Sequence, residues 1–441
     1  MRKIRFYAVL TVTFLSRFKF VIAGAFVVGI VLFLGGKYIS SKFSSAHTSY
    51  IGLVGRYHID ELPPEVLSMI GEGLTKIDDT GMPKPSLAKS WESKDQGKTW
   101  VFKLAEGRTW HDGTPVTASS IHYSFDAVSV EYPDSNTIVF KLQSAYAPFP
   151  LVVSHATFSH GLIGTGEWRA DNISVKSSYV DQLDLVNVSG EKRIIRFYPN
   201  ENAAKAAYEL GHIDIIQNLL DPSPLDSWSS VMVNAHEKQT LYVAVFFNER
   251  SEVFKDNKPL RQALSYAIDK SMWTGKTRAI GPIPEDSWAY NPQIKPYDFD
   301  LNRAQELIKP ILPKGQVLTI RLTTAPTLLS IADQIAKDWG KIGVHTQVQA
   351  AGTLPDDYDA YLTLYEVSLD PDQYLTWHST QEATNVTHFS NQRIDKLLEN
   401  GRLEMDPEKR KKIYLDFQRF LLEDAPAAFL YHPKSFDIVR K

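Results

Sequence analysis

Residues 71–128 read GEGLTKIDDTGMPKPSLAKSWESKDQGKTWVFKLAEGRTWHDGTPVTASSIHYSFDAV. Apolar side chains alternate at Trp100, Phe102 and Leu104, which predicts a strand, and a turn at 96–97 joins it to an earlier strand that holds Trp91. The other expected elements are, in chain order, a short helix at the start of the stretch, a turn at 79–81, a proline-containing loop, a turn at 112–113 and a helix that opens at Thr117.

This stretch resembles the signature region of the solute-binding proteins of family 5, the extracytoplasmic receptors of oligopeptide, dipeptide and nickel ABC importers. The resemblance implies an α/β, two-lobed periplasmic-binding-protein-like fold (type II, the cluster with an extra domain). The residues that carry it are Glu72, Gly73, Leu74, Gly81, Pro85, Leu87, Ala88, Ser90, Trp91, Lys98, Thr99, Phe102, Leu104, Gly107, His111, Asp112, Gly113, Pro115, Thr117, Ala118 and Phe125.

Length, charge and composition limit the possible functions. At 441 residues the chain exceeds what one hydrophobic core usually supports, so at least two lobes are expected. The net charge is −3, and the first 42 residues hold seven basic residues and no acidic one, which leaves about −10 for the rest. An acidic body argues against nucleic-acid binding. The absence of cysteine excludes disulfides, thiolate metal sites, a cysteine nucleophile and a lipidated N-terminal cysteine.

The N-terminus carries a candidate membrane segment. Residues 20–36 read FVIAGAFVVGIVLFLGG without a charge, and five basic residues precede them. This pattern predicts a single transmembrane helix over 20–39, with residues 1–19 in the cytoplasm and the body on the extracytoplasmic side. A cleaved signal peptide, with Ser44-Ser45-Ala46 as the cleavage site, is the competing interpretation.

The expected organisation of the body follows the resemblance. After a linker at 40–49, lobe I is expected over 50–245, with the signature subdomain at 61–150 inside it, and lobe II over 246–435. Residues 436–441 are expected to begin a segment that returns to lobe I. An apolar run at 241–248, LYVAVFFN, predicts a strand that is buried on both faces and crosses between the lobes.

In the peptide-binding members of the family, an aspartate four residues before the proline of an Asp-Pro pair binds the ammonium group of the ligand. The matching position here is Val367, and the tryptophan usual three residues earlier is Leu364. Glu366 and Asp370 are the alternative partners for an ammonium group. Strand alternation points Glu366 to the opposite face from Val367. The resemblance also implies that the strand near 358–367 adds hydrogen bonds to an extended ligand.

The expected function is capture of short peptides, or a similar solute, between the lobes by a monomeric receptor that serves an ABC permease. No enzyme, metal site or cofactor is expected, since the chain lacks a GxSxG elbow, an HExxH helix and a P-loop. A scaffold protein that keeps the fold without ligand capture, and a receptor for nickel or haem complexes, remain as alternatives. The candidate ligand-binding residues are Asn248, Trp288, Tyr290, Tyr365, Glu366, Asp370 and Trp377.

Overall fold

The computed structural model describes residues 48–273, 275–312 and 317–441. The cytoplasmic segment expected at 1–19, the transmembrane helix expected at 20–39 and most of the linker expected at 40–49 lie outside the described residues. Within those described ranges, no helix combines the length and the apolar character that a bilayer span requires.

Strands outnumber helices up to Phe247, and helices are more frequent in the rest of the chain. The strands are β1 Thr48–Val54, β2 Thr75–Ile77, β3 Pro83–Pro85, β4 Ala88–Glu92, β5 Thr99–Leu104, β6 Val128–Asp134, β7 Thr137–Leu142, β8 Trp168–Lys176, β9 Tyr179–Asn187, β10 Lys192–Tyr198, β11 Ile215–Leu219, β12 Val231–Glu237, β13 Leu241–Phe247, β14 Thr277–Arg278, β15 Leu318–Thr324, β16 Val344–Ala350, β17 Ala360–Glu366, β18 Ala427–His432 and β19 Lys434–Arg440. The helices are α1 Pro64–Ile70, α2 Phe149–Val152, α3 Glu201–Glu209, α4 Lys258–Ala267, α5 Leu301–Ile308, α6 Leu329–Gly340, α7 Tyr374–Trp377, α8 Gln392–Leu403 and α9 Pro407–Asp424.

Lobe I is built on a seven-stranded sheet in the order β12-β19-β11-β1-β10-β9-β8. β1 runs parallel to both of its neighbours, β10 and β11. The carboxyl ends of these three strands therefore meet at one edge of the sheet, where open α/β sheets commonly bind ligands. The last strand, β19, lies in this sheet between β12 and β11.

Lobe II is built on a six-stranded sheet in the order β14-β18-β13-β17-β15-β16. Odd-numbered residues of β13 pack with α4 and α6 in one apolar core, and even-numbered residues pack with α9 in another. Every residue of β13 after Leu241 is buried, as the apolar run predicts. Helices thus cover both faces of this sheet, which gives the lobe three layers.

The chain passes between the two large sheets twice, once at residues 238–240 and once at Pro433. The two segments, here called the crossing, are hydrogen-bonded to each other, since the Lys238 N–H donates to the Pro433 carbonyl at 3.2 Å. The division expected between residues 245 and 246 falls inside β13, whose whole length lies in the lobe II sheet. β13 belongs to lobe II because its neighbours in the sheet, β17 and β18, both lie in that lobe.

A separate four-stranded sheet, β4-β5-β7-β6, forms the signature subdomain. The six-residue connection between β4 and β5 contains the turn expected at 96–97, with positive φ at Gln96 (59°) and Gly97 (92°). The turn at 112–113 is also present, with Gly113 at φ 84°.

Three local predictions in the signature stretch are wrong. The short helix and the proline-containing loop are instead a hairpin of β2 and β3, because prolines without an N–H are tolerated in such an edge pair. Thr117 caps only one 3₁₀ turn, Ala118–Ser120. Beyond Ser120 the apolar residues alternate with period two and pack as Ile121, Tyr123 and Phe125 in the subdomain core, which requires extended backbone.

Candidate functional site

A cavity of about 180 Å³ lies at the carboxyl ends of β1 and β11, beside the crossing. It is here called the crossing cavity. Main-chain and side-chain groups from the strand ends, from α1 and from the crossing surround it. Its lining residues are Leu53, Val54, Tyr57, Pro63, Glu65, Val66, Met69, Gln217, Asn218 and Lys238.

Local backbone geometry positions the polar groups of the crossing cavity. Asn218 adopts positive φ (62°) where the register of β11 is interrupted, and its N–H donates to the Asp437 carboxylate at 3.0 Å. The Tyr57 hydroxyl donates to the Val54 carbonyl at 3.1 Å. Burial, and then the nearby Glu65 carboxylate, raise the pKa of Tyr57, so the phenol stays protonated at neutral pH. The cavity is therefore lined by two side-chain amides, a phenol, a carboxyl group and a lysine amino group.

β17 of lobe II ends next to the crossing. Glu366 lies opposite Leu241 in the register of β13, and the Val367 N–H donates to the Thr240 carbonyl at 2.7 Å. Alternation along β17 leaves Leu364 and Glu366 exposed, whereas Val367 is buried with Tyr242 and Trp377. The expected opposite orientation of Glu366 and Val367 is therefore present.

Among the described residues, one edge of β17 has no strand partner near this point. β15 pairs with β17 only as far as Leu362, which lies opposite Thr324, the last residue of β15. On that side, residues 363–366 have no strand partner among the described residues, while β13 pairs with them on the other side. An extended ligand could add a strand at such an edge.

Asp370 is not available as a free carboxylate. It is buried, and its two oxygens accept hydrogen bonds from the terminal nitrogens of Arg410 at 2.7 and 2.8 Å. Burial alone would lower the pKa of Arg410, but the Asp370 carboxylate outweighs it and raises that pKa. The two charges therefore neutralise each other, which leaves Glu366 as the exposed acid of the two candidates.

Three other predicted site residues have structural partners. The Asn248 side chain donates to the Tyr358 carbonyl at 2.8 Å and accepts from the Arg250 N–H at 3.0 Å. Trp377 is fully buried against Phe246 and Phe429. The hydroxyl of Tyr365 lies 3.0 Å from that of Thr376, and its ring stacks on Tyr242. These contacts hold lobe II together.

The remaining two predicted residues belong to the loop after β14. The Tyr290 hydroxyl donates to Glu285 at 3.1 Å, and burial together with that carboxylate raises the pKa of Tyr290 to about 12. Trp288 lies at a second cavity, of about 440 Å³, between the four-stranded sheet and lobe II. Asp370 also lines this second cavity, here called the interlobe cavity, which thus brings two of the seven predicted residues together.

Sequence reasoning missed Tyr57, Glu65, Asn218 and Lys238 of the crossing cavity. Two signals were present: the end of the strand before Pro63-Pro64, and the short polar segment that precedes the apolar run of β13. Neither pattern shows that the two segments meet, because that depends on the order of strands in the sheet. His111, one of the residues that carry the resemblance, lies 2.8 Å from the Gly166 carbonyl through its Nε2 atom. In the part of the chain that the structure describes, no cluster of three His, Cys, Asp or Glu residues could hold a metal ion.

Comparison with known proteins agrees with this architecture. Residues 82–131 and 126–385 match the family model of bacterial extracellular solute-binding proteins, family 5 Middle. The oligopeptide-binding protein AppA of Bacillus subtilis is 24% identical over 459 residues, which cover 86% of this chain and 83% of AppA. The dipeptide-binding protein of Escherichia coli is 23% identical over 449 residues, with 81% of this chain and 82% of that protein covered.

A solved structure shares the fold. The crystal structure of NikZ from Campylobacter jejuni in complex with Ni(L-His) superposes with a TM-score of 0.71 at 24% sequence identity. The match covers 89% of this chain and 94% of NikZ.

Proposed function

Because the chain belongs to family 5 of the bacterial extracellular solute-binding proteins, whose members are ligand-binding receptors and not enzymes, we propose that it is the extracytoplasmic receptor of an ABC importer. In this proposal it captures short peptides between lobes I and II and presents them to a membrane permease. The expected helix at 20–39 would keep the receptor, as a monomer, at the membrane surface.

The observation that carries the proposal is the unpaired edge of β17 at residues 363–366, next to the crossing. A peptide that adds a strand there would have its main chain held by hydrogen bonds that do not depend on its sequence. The exposed Glu366 would pair with the ammonium group of the peptide. Lys238 and Glu65, at the crossing cavity, supply both signs of charge for its other polar groups.

In this assignment, Glu366 supplies the negative charge that an aspartate supplies in the peptide-binding members. Its neighbour Val367 occupies the position of that aspartate. Val367 is buried in an apolar core, so restoring an acid there would place an unpaired charge among aromatic rings. Glu366 needs no such burial because it already faces solvent. A ligand that lacks a free ammonium group should therefore gain nothing from Glu366.

The test uses the full-length chain, first examined by native mass spectrometry for ligand that co-purifies. Calorimetric titration then compares trialanine with N-acetyl-trialanine. We expect Glu366→Gln to weaken trialanine binding about tenfold, the loss of one partly exposed charge pair, and to leave the acetylated peptide unaffected. Glu252→Gln, a change of the same kind at another exposed glutamate of lobe II, is the control and should alter neither.

Equal binding of the free and acetylated peptides would show that Glu366 does not bind the ammonium group. A chain that carries no ligand and binds neither peptide would support the alternative of an interaction protein that kept the fold. Recovery of a metal complex by mass spectrometry would instead support uptake of a chelated metal, the kind of ligand present in the NikZ structure.

A further inference from the structure

The interlobe cavity is larger than the crossing cavity and has different chemistry. Its volume of about 440 Å³ lies within the range of small-molecule sites, roughly 300–1,000 Å³. Trp91, Met82 and Leu151 line it from lobe I, and Trp288 and Met405 line it from lobe II. Indole rings and thioethers on opposite walls are well suited to a flat aromatic molecule.

Hydrogen bonds between the lobes fix the distance between these walls. The main-chain N–H of Trp288 donates to the Thr80 carbonyl at 3.0 Å, and the main-chain N–H of Ala147 donates to the Arg402 carbonyl at 2.7 Å. The Tyr146 hydroxyl donates to the Asp372 carboxylate at 3.1 Å. The cavity is therefore a property of this arrangement of the lobes, and it would be lost if they separated.

One polar group in the cavity wall has no partner among the described residues. The indole nitrogen Nε1 of Trp288 is buried, and none of those residues accepts a hydrogen bond from it. Buried donors are rarely left unpaired, because the lost hydrogen bond to water is not replaced. A ligand with a carbonyl or similar acceptor would satisfy this indole.

Charge at the cavity disfavours anions. The guanidinium of Arg410 is already bound by both oxygens of Asp370, so it offers no uncompensated positive charge. Glu92 and Glu404 also line the cavity, and an anionic ligand would meet both carboxylates. A neutral molecule avoids that repulsion.

We propose that the interlobe cavity is a second ligand site, which takes a neutral aromatic molecule that carries a hydrogen-bond acceptor. The site is distinct from the crossing cavity and does not depend on peptide capture there. Because its walls come from both lobes, the occupied site ties the signature subdomain to lobe II.

The test is calorimetric titration of the full-length chain with N-acetylphenylalaninamide, a neutral aromatic amide. N-acetylphenylalanine, which is anionic, and N-acetylalaninamide, which has no ring, should bind at least tenfold more weakly. Trp288→Phe keeps a ring but removes the indole donor, and we expect binding to weaken about fivefold to tenfold. Met405→Trp starts from a half-exposed side chain and fills the cavity, so it should abolish saturable binding.

The control variant is Glu366→Gln, which alters the proposed peptide site and should leave binding of the aromatic amide unchanged. Trialanine should likewise not displace the amide. The proposal is overturned if the amide shows no saturable binding, or if Met405→Trp and Trp288→Phe both bind it as the parent does. It is also overturned if the amide is displaced by trialanine, which would place it in the crossing cavity. Failure of trialanine to bind at all would count only against the peptide receptor.

Discussion

At Asp370 and Val367, neighbouring side chains decide what each residue can do. The carboxylate of Asp370 follows the sequence pattern of a ligand contact, yet Arg410 occupies both of its oxygens. Val367 lacks a charge and is buried, while Glu366, one residue earlier, is exposed. Alternation along one strand and a partner 40 residues away in the chain thus determine which acid is free to bind.

Glu249 provides a prediction at the same scale. Burial, only partly offset by the charge of Arg261, raises the pKa of Glu249 from 4.5 to about 7. Between these two values, Glu249 holds a proton in the folded chain that it has lost in the unfolded chain. The folded state is therefore stabilised relative to the unfolded state at low pH, and this stabilisation disappears as the pH rises through about 7. Relative to Glu249→Gln, the parent should therefore lose on the order of 2–3 kcal/mol of unfolding free energy between pH 5 and pH 8.

Urea denaturation of both chains at several pH values measures this difference. Glu252→Gln, at an exposed site, is the matched control and should parallel the parent throughout. A parent and a Glu249→Gln variant with the same pH profile would show that Glu249 is ionised in the folded chain as readily as in the unfolded one.

At the scale of elements, periodicity and capping account for most of the secondary structure. The caps of α4 and α5, Asn257 and Asp300, accept hydrogen bonds from first-turn N–H groups. The helix expected after Thr117 does not form, because residues 121–125 alternate with period two and their apolar side chains enter the core of a sheet. Where capping and periodicity conflict, burial of the apolar side chains decides.

A prediction at this scale concerns the N-cap of α9, the helix that carries Arg410. Asp406 accepts hydrogen bonds from the N–H groups of Glu408 and Lys409, both at 3.0 Å. Asp406→Ala should lower the free energy of unfolding by about 1 kcal/mol, the usual contribution of such a cap. Lys412→Ala, on the same helix but outside its first turn, is the control, and equal stability losses in chemical denaturation would contradict a capping role.

At the scale of the whole molecule, the two segments of the crossing and a set of contacts between the subdomain and lobe II hold the two lobes together. Gly81, at φ 90°, brings its backbone so close to Leu369 that a Cβ would lie 2.8 Å from the Cβ of that residue. This contact and the Tyr146–Asp372 hydrogen bond both join residues that lie far from the crossing in sequence. Lobe separation must break these contacts, whereas the crossing can bend and stay intact.

Removing one of these contacts should therefore favour separated lobes. In Tyr146→Phe the hydrogen bond to Asp372 is lost, and we expect the N–H groups of Ala147 and Trp288, which bond across the lobes, to exchange with deuterium about threefold to tenfold faster. Hydrogen-exchange mass spectrometry of the full-length chain measures both. Tyr290→Phe removes a hydrogen bond to Glu285 within lobe II and is the control. Unchanged exchange in Tyr146→Phe would mean that this bond does not restrain the lobes.

The sequence by itself determined the family, the strands and helices with strong periodicity, and the turns at 96–97 and 112–113, because these depend on residues close together in the chain. It did not determine the crossing cavity, the pairing of Asp370 with Arg410 or the interlobe cavity. Each of these brings together residues that are distant in sequence, and only the order of strands in the sheets and the docking of the lobes set those contacts. A side chain's type is local information, but whether it is free to bind depends on what the tertiary structure places against it.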